Sequence, residues 1–108
     1  MTEHPLNELT VGDRYRSSVC DTEVIILKTP AGAVDLACGG APMIPVDLAG
    51  EPGGPLDEDY ATGTEVGKRY TDVAGTLEVL CTNGGRGGLS LGGVALEVKA
   101  ATALPASD

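Results

Sequence analysis

The amino-acid sequence predicts an all-β protein made of two related halves. Three observations carry this prediction. Short runs of β-branched and apolar residues alternate with turn residues, since the 108 residues include 16 Gly and 7 Pro, and these two residue types punctuate regular structure. Apolar residues nowhere recur at helical spacing over three turns. Finally, the order of several short motifs in the first half recurs in the second.

The first half is predicted to contain one β-hairpin and one edge strand. Residues 23–28 read EVIILK and predict a strand, residues 34–38 alternate apolar and polar side chains as a returning strand, and Pro30-Ala31-Gly32 is the turn between them. Gly39-Gly40 ends the hairpin. Residues 43–46 predict a short edge strand, because a proline is excluded from the centre of a sheet.

The second half is predicted to follow the same plan. Residues 77–82 form a strand, Asn83-Gly84 is a type I′ turn signal, and residues 89–91 return. The run from Asn83 to Gly88 is rich in glycine, but no Lys-Ser/Thr pair follows it, so a hairpin turn is favoured over a phosphate-binding loop. Residues 94–98 form a last strand.

The repeat is visible when the halves are aligned with an offset of 55 residues, shortened by two after the first strand. The matching segments are Gly12-Asp13-Arg14-Tyr15 with Gly67-Lys68-Arg69-Tyr70, Glu23-Val24 with Glu78-Val79, and Leu36-Ala37-Cys38-Gly39-Gly40 with Leu89-Ser90-Leu91-Gly92-Gly93. A duplication explains this order. Units of roughly 50 residues rarely bury enough surface to be stable alone. The two units are therefore expected to pack about a pseudo-two-fold axis as an internal pseudo-dimer, or the chain dimerises.

The predicted organisation has four parts. Residues 1–48 form the first unit and residues 49–64 an acidic linker rich in proline and glycine. Residues 65–101 form the second unit, and residues 102–108 a tail.

Charge and hydrophobicity exclude several classes of partner. The formal net charge of −9 repels phosphate backbones and anionic lipid headgroups, so neither nucleic acid nor a membrane is expected as a partner, whereas a basic protein surface is attracted. No segment approaches the roughly 20 apolar residues of a membrane span. The N-terminus lacks a basic head followed by an apolar stretch. A cytoplasmic location is expected, where paired cysteines are more often metal ligands or redox groups than structural disulfides.

Two of the three cysteines are expected to be neighbours. Cys20 precedes the strand at residues 23–28, and Cys38 ends the strand predicted to pair with it, so the hairpin brings the two thiols together. Cys81 lies within a strand and matches Ile26 of the first unit, which indicates a core position. Tyr15 and Tyr70, at matching points of the repeat, are also expected to pack inside.

The first half resembles desulforedoxin and the N-terminal domain of desulfoferrodoxin. Those modules read Tyr-x-Cys-x-x-Cys, then a β-hairpin, then Cys-Cys-Gly-x-Pro-Met. The corresponding segments here are Tyr15-Arg16-Ser17-Ser18-Val19-Cys20 and Cys38-Gly39-Gly40-Ala41-Pro42-Met43. The family holds one iron through four thiolates and tends to dimerise. The resemblance covers residues 12–45 and implies Cys20 and Cys38 as the metal ligands that remain.

The departures from the family pattern leave the role of the thiols open. Ser17 and Gly39 stand where two cysteines of the family would be, and the second unit has Gly75 and Leu91 at the positions of Cys20 and Cys38. Four outcomes remain. The thiols are relics without a role, or they form a disulfide, or they share iron or zinc with two thiolates of a second chain, or they hold a soft ion such as Cu(I), alone or with Ser17, Asp21 or a partner protein.

No set of acid, base and nucleophile is visible, since His4 is the only histidine. The first hypothesis for function is therefore a non-enzymatic accessory protein that binds an enzyme subunit or another protein partner through a degenerate scaffold. The alternative is a metal-binding or thiol-redox protein that acts in electron transfer through Cys20 and Cys38. An independent enzyme is the weakest of the three.

Overall fold

The computed structural model describes residues 7–48 and 53–99 and confirms the all-β class. Its helical elements are two single 3-10 turns, Val46–Leu48 and Glu58–Tyr60. No helix within these residues is long and apolar enough to cross a membrane. The strands are β1 (Asn7–Glu8), β2 (Arg14–Arg16), β3 (Glu23–Lys28), β4 (Ala33–Val34), β5 (Leu36–Cys38), β6 (Ala41–Pro42), β7 (Ile44–Pro45), β8 (Arg69–Thr71), β9 (Glu78–Asn83), β10 (Leu89–Leu91), β11 (Val94–Ala95) and β12 (Glu97–Val98).

The strands form two principal antiparallel sheets, and both halves contribute to each. The larger sheet has the order β12-β8-β9-β3-β2-β7, and the smaller has the order β11-β10-β5-β6. Strands β1 and β4 form a separate two-stranded ladder. The predicted edge strand is confirmed, because β7 lies at one end of the larger sheet.

The two predicted hairpins are wrong. Strand β3 pairs with β2 and β9, while β5 pairs with β6 and β10 in the other sheet. Likewise β9 pairs with β3 and β8, and β10 pairs with β5 and β11. The physical reason lies in the burial pattern. Strands β3 and β9 each bury alternate side chains on one face, so pairing them with each other joins two apolar faces into one core.

The hairpins that do form are the tight turns at the paired glycines. Gly39 and Gly40 have φ angles of 65° and 84°, and Gly92 and Gly93 have φ angles of 59° and 85°. Positive φ at both central positions defines a type I′ turn, which matches the twist of the strands it joins. These turns connect β5 to β6 and β10 to β11. Glycine at these positions therefore reverses the chain inside the smaller sheet.

The register between the halves follows the repeat. In the β3–β9 ladder, Val24 lies opposite Cys81 and Ile26 lies opposite Val79. Outside the ladders, the Gly12 N–H donates to the Ile26 carbonyl at 2.8 Å, and the Gly67 N–H donates to the Cys81 carbonyl at 2.8 Å. Each of these pairs maps onto its counterpart when the two halves are exchanged. A two-fold relation between the halves would require such pairing.

The core lies between the two sheets and contains few aromatic rings. Tyr15 and Tyr70 are buried, as predicted, and so is Cys81. The remaining core is built mainly from aliphatic side chains of both halves. The core residues with less than 2% exposure include Val24, Ile26, Leu36, Met43, Leu77 and Val79.

The segment between the units contributes to this core in the part that the structure describes. Leu56 packs against the hydrophobic cluster, the Asp57 N–H donates to the Gly39 carbonyl at 2.9 Å, and Thr64 forms a β-bridge with Gly85. Residues 53–64 thus run along the junction between the first and second halves. Residues 49–52 of the predicted linker and the predicted tail at 102–108 lie outside the described residues, as does His4.

Candidate functional site

The structure places Cys20 and Cys38 side by side in the core. Cys20 lies in the connection from β2 to β3, and Cys38 is the last residue of β5, just before the Gly39-Gly40 turn. Their Sγ atoms are 3.8 Å apart. Cys38 has no exposed surface and Cys20 is 9% exposed. The predicted proximity is confirmed, although it arises from the packing of two sheets and not from a shared hairpin.

Ser17 organises the turn that carries Cys20. Its Oγ accepts hydrogen bonds from the backbone N–H groups of Val19 and Cys20, both at 3.1 Å. Its own N–H donates to the Thr22 carbonyl at 2.9 Å. Ser17 is 1% exposed, so these donors have little access to water and need an acceptor within the protein. A short side chain with an acceptor at residue 17 therefore fixes the position of the Cys20 thiol.

A glycine segment of the second half covers both sulfur atoms. A Cβ atom on Gly85 would lie 3.0 Å from Cys20 Sγ, and a Cβ atom on Gly87 would lie 3.1 Å from Cys38 Sγ. Contacts this short leave no room for a side chain. The backbone of residues 85–87 therefore lies directly on the thiol pair, and we call this segment the glycine cover.

The glycine cover is held in place by Thr64. The backbones of Thr64 and Gly85 exchange two hydrogen bonds of 3.0 and 3.1 Å, and Thr64 Oγ1 donates to the Gly87 carbonyl at 2.6 Å. Thr64 is itself buried. The sequence does not reveal this role, because the glycines of residues 84–88 are typical of a hairpin turn. The available signal was the number of glycines, which exceeds what a two-residue turn needs.

The environment of Cys20 favours its thiolate. Burial raises the pKa of this thiol, but hydrogen bonds from the side chains of Ser17 and Thr22, and from the backbones of Thr22 and Gly87, outweigh burial and lower the pKa to about 7. The Cys20 Sγ lies 3.3 Å from Thr22 Oγ1. The hydroxyl accepts from the thiol and can donate to the thiolate. About half of the Cys20 side chains are therefore thiolates at pH 7.

Cys38 is held in the opposite protonation state. Burial, and then the negative charge on the adjacent Cys20, raise the pKa of Cys38 to about 12. Two thiolates in contact repel each other, so the second proton is retained when the first is lost. Once Cys20 has lost its proton, the pair is one thiolate and one thiol, with the sulfur atoms 3.8 Å apart. This arrangement provides a nucleophile and a protonated partner.

The residues do not fit the four-thiolate metal site that the resemblance implies. A Cβ atom on Gly39 would lie 2.6 Å from Leu56 Cδ1 and 2.8 Å from Val19 Cγ2, so apolar side chains occupy the space of that ligand. The Ser17 hydroxyl already accepts two backbone hydrogen bonds. Across residues 7–48 and 53–99, no three His, Cys, Asp or Glu side chains are grouped to hold a metal ion.

A metal shared between two chains meets a further obstacle. Thiolates of a second chain would have to reach Cys38 through the glycine cover, which lies on its sulfur atom. Asp21, another candidate ligand, is exposed, and its carbonyl accepts from Asn83 Nδ2 at 2.7 Å. Coordination of a soft ion by Cys20 and Cys38 alone requires no further ligand and stays a prediction.

Cys81 has hydrogen-bond and strand partners of its own. It lies in β9 opposite Val24, and its Sγ donates to the Asn83 carbonyl at 3.2 Å. Burial raises the pKa of Cys81, and the charge of Cys20 also contributes to the raised pKa. A buried thiol with a raised pKa is a poor nucleophile near neutral pH. Cys81 therefore serves as an internal reference for the reactivity of the other two cysteines.

Comparisons with protein-family models, with curated proteins and with solved structures each return no match for this chain.

Proposed function

We propose that this chain is a thiol-redox protein whose Cys20 and Cys38 alternate between a dithiol and a disulfide. The observation that carries the proposal is the 3.8 Å separation of the two sulfur atoms. A disulfide requires about 2.05 Å, so a closure of less than about 2 Å forms the bond. Cys20 is the more acidic thiol and Cys38 the less acidic one. Cys20 therefore acts as the nucleophile toward the oxidant, and Cys38 keeps its proton until the disulfide forms.

The proposed oxidant is a small peroxide. The Cys20 thiolate attacks one peroxide oxygen, the O–O bond breaks, and the leaving hydroxide takes a proton from solvent to become water. Cys20 is then a sulfenic acid. The Cys38 sulfur attacks the Cys20 sulfur, the S–O bond breaks, and the Cys38 proton leaves with the hydroxyl as a second water. The two thiols lose two electrons in total, and the peroxide gains them.

Access to the site supports a small oxidant over a protein disulfide. Cys20 is 9% exposed and Cys38 is fully buried. Thiol–disulfide exchange with another protein needs in-line access of a foreign sulfur to the attacked sulfur, and the glycine cover lies across that approach. A molecule of two oxygen atoms needs far less room. In the reducing cytoplasm, which we retain as the proposed location, the pair would rest as the dithiol.

An accessory role with a protein partner is the second candidate. The observation that favours it is the exposure of apolar side chains in the second half, among them Val94 at 57% and Val98 at 51%. Exposed valines on edge strands are suited to contact with another chain. The two proposals use different parts of the molecule and are compatible.

The experiment that tests the redox proposal is intact-mass analysis of the Cys81→Ser variant before and after stoichiometric hydrogen peroxide. Formation of the disulfide lowers the mass by about 2 Da and removes both free thiols, and a thiol reductant restores them. Cys20→Ser and Cys38→Ser, each added to the Cys81→Ser background, are the matched controls. Gain of about 16 or 32 Da without loss of two hydrogens would reject the proposal.

Elemental analysis of the same purified protein separates redox chemistry from metal binding. One copper per chain, lost together with thiol protection on chelation, would assign the pair to a soft metal instead. Retention of both thiols in metal-free protein, followed by clean conversion to the disulfide, supports the redox function.

A further inference from the structure

The two principal sheets end in one strand from each half. The larger sheet runs from β12 to β7, and the smaller from β11 to β6. Strands β6 and β7 belong to the first half, whereas β11 and β12 belong to the second. The outer backbone groups of an edge strand are available to pair with another polypeptide. The edge strands of the two halves differ in whether they contain proline.

Prolines remove an N–H donor from each edge strand of the first half. Pro45 in β7 lies opposite Tyr15, and Pro42 in β6 lies opposite Ala37. The hydrogen bond from the Met43 N–H to the Leu36 carbonyl, 2.9 Å long, sets the alternation of the β5–β6 ladder so that position 42 faces outward. Proline has no N–H to offer at such a position.

The second half has no proline at the matching positions. A shift of 53 residues, the offset that aligns Leu36 with Leu89, places Ala95 at the position of Pro42 and Val98 at the position of Pro45. The Lys99 N–H donates to the Arg69 carbonyl at 2.8 Å. Backbone groups of an antiparallel strand alternate in direction, so the N–H and C=O of Val98 face away from β8, on the side where no strand of residues 7–48 and 53–99 pairs with β12.

A groove with both polar and apolar walls lies beside this edge. It has a volume of about 450 Å³, and Tyr70, Leu96 and Val98 form an apolar part beside the polar side chains of Thr62, Thr64, Glu65 and Lys68. Leu96 packs against the hydrophobic core, and Val98 lies opposite Tyr70 in the ladder. A strand added to β12 would therefore extend the sheet and place alternate side chains over this apolar surface.

The negative charge of the chain favours a basic segment of another protein over a second copy of this chain as the partner of β12. A second copy would bring another net charge of −9 to the edge, which disfavours self-pairing at ordinary ionic strength. Glu97 precedes Val98 in β12 and is exposed. The neighbouring residue of an added strand lies within reach of this carboxylate, and opposite charges stabilise such cross-strand pairs.

We propose that β12 binds an extended, basic segment of another protein by strand addition. Val98 supplies the backbone donor and acceptor, the groove beside Tyr70 and Leu96 receives a β-branched side chain, and Glu97 pairs with a lysine or arginine of the segment. Thr64 and Gly85 also line the groove, so the site borders the glycine cover, and it gives the accessory role a defined surface and a defined class of partner.

The test uses a capped peptide of sequence Lys-Thr-Val-Thr-Val-Lys and the ¹⁵N-labelled protein in a reducing buffer, which separates the result from thiol chemistry. Binding should shift the amide resonances of Val98 and Lys99. Val98→Pro should weaken binding at least tenfold, and it should fold because Pro45 occupies the same position in the first half. The same peptide with N-methylated valines should not bind, since its backbone cannot complete the ladder.

The reciprocal variant Pro45→Val is the matched gain-of-function control, and it should raise the number of bound peptides per chain from one to two. Replacement of both lysines of the peptide by glutamate should weaken binding at least tenfold. Unchanged binding by Val98→Pro, or equal shifts at β7 and β12 in the natural chain, would overturn the proposal. A dimer in sedimentation equilibrium that Val98→Pro dissociates would also overturn it, because the occupant would then be a second copy.

Discussion

Formation of the Cys20–Cys38 disulfide should raise the free energy of unfolding by about 3 kcal/mol. The bond closes a loop of roughly 19 residues, and the loss of chain entropy in the unfolded state for such a loop is about 11 cal/mol/K, or about 3 kcal/mol at 25 °C. The sulfur atoms already lie 3.8 Å apart on backbone that the Ser17 turn and the Gly39-Gly40 turn hold in place. Little strain should therefore offset this gain.

The assay is thermal unfolding of the Cys81→Ser variant, oxidised with peroxide or fully reduced, followed by circular dichroism. For a domain of about this size, 1 kcal/mol corresponds to a shift of about 4 °C or more in the melting temperature. The oxidised protein should therefore unfold about 12 °C above the reduced protein. Cys38→Ser in the same background is the control, and the same treatment should leave its melting temperature unchanged.

Two results would refute this reasoning. An oxidised protein with the mass of the disulfide but an unchanged or lower melting temperature would show that closure distorts the native fold and that the thiols are not preorganised. Equal stabilisation of the Cys38→Ser control would show that peroxide acts elsewhere. Urea titration provides a second measurement, because the midpoint should rise while the slope falls only slightly.

Three further predictions concern the groups around the thiols. Alkylation of the folded protein by iodoacetamide should modify Cys20 first, with a rate that rises with pH through a midpoint near pH 7. Cys38 should stay protonated until the pH approaches 12, and peptide mapping after brief labelling checks the order. Gly85→Ala should cost about 1–3 kcal/mol in a urea titration, because its Cβ would lie 2.7 Å from a backbone nitrogen, whereas Gly53→Ala, with open space at its Cβ, should cost far less. Ser17→Ala should cost about 1–3 kcal/mol, because it leaves two N–H groups without their acceptor, and should shift the alkylation profile of Cys20 to higher pH; an unshifted profile would contradict the assigned role of the hydroxyl.

Several strands could be predicted from the sequence, but β2 and β8 lie outside the predicted strands, and the pairing could not be predicted. The alternation of Val24 and Ile26 with less buried residues identifies β3 correctly, and the same holds for Val79 and Cys81 in β9. These strands have interchangeable apolar faces, so local pattern does not specify the neighbour. The duplication makes this ambiguity general, because each strand has a counterpart with the same pattern. Proximity in sequence favours β5 as the partner of β3, whereas the structure pairs β3 with β2 and with its counterpart β9.

The candidate site was predictable in part. The proximity of Cys20 and Cys38 followed from their placement at strand ends, although the predicted hairpin was wrong. The glycine cover was not predictable, since a glycine permits many conformations and its contact with a sulfur depends on tertiary packing. The Ser17 hydrogen bonds were equally hidden, because a serine in place of an expected cysteine indicates the loss of a ligand and not the gain of a turn acceptor.

The two halves fill equivalent positions with different residues, which gives a physical reason why only one holds two neighbouring thiols. The Gly39 N–H donates to the Gly88 carbonyl, and its counterpart, the Gly92 N–H, donates to the Asp35 carbonyl, both at about 2.9–3.0 Å. This correspondence sets Gly87 of the cover against Val34, and Cys38 against Leu91. Val34 and Leu91 pack against the core as ordinary apolar side chains. Where the second unit fills its interior with hydrocarbon, the first has two neighbouring sulfur atoms beneath the backbone of the glycine cover.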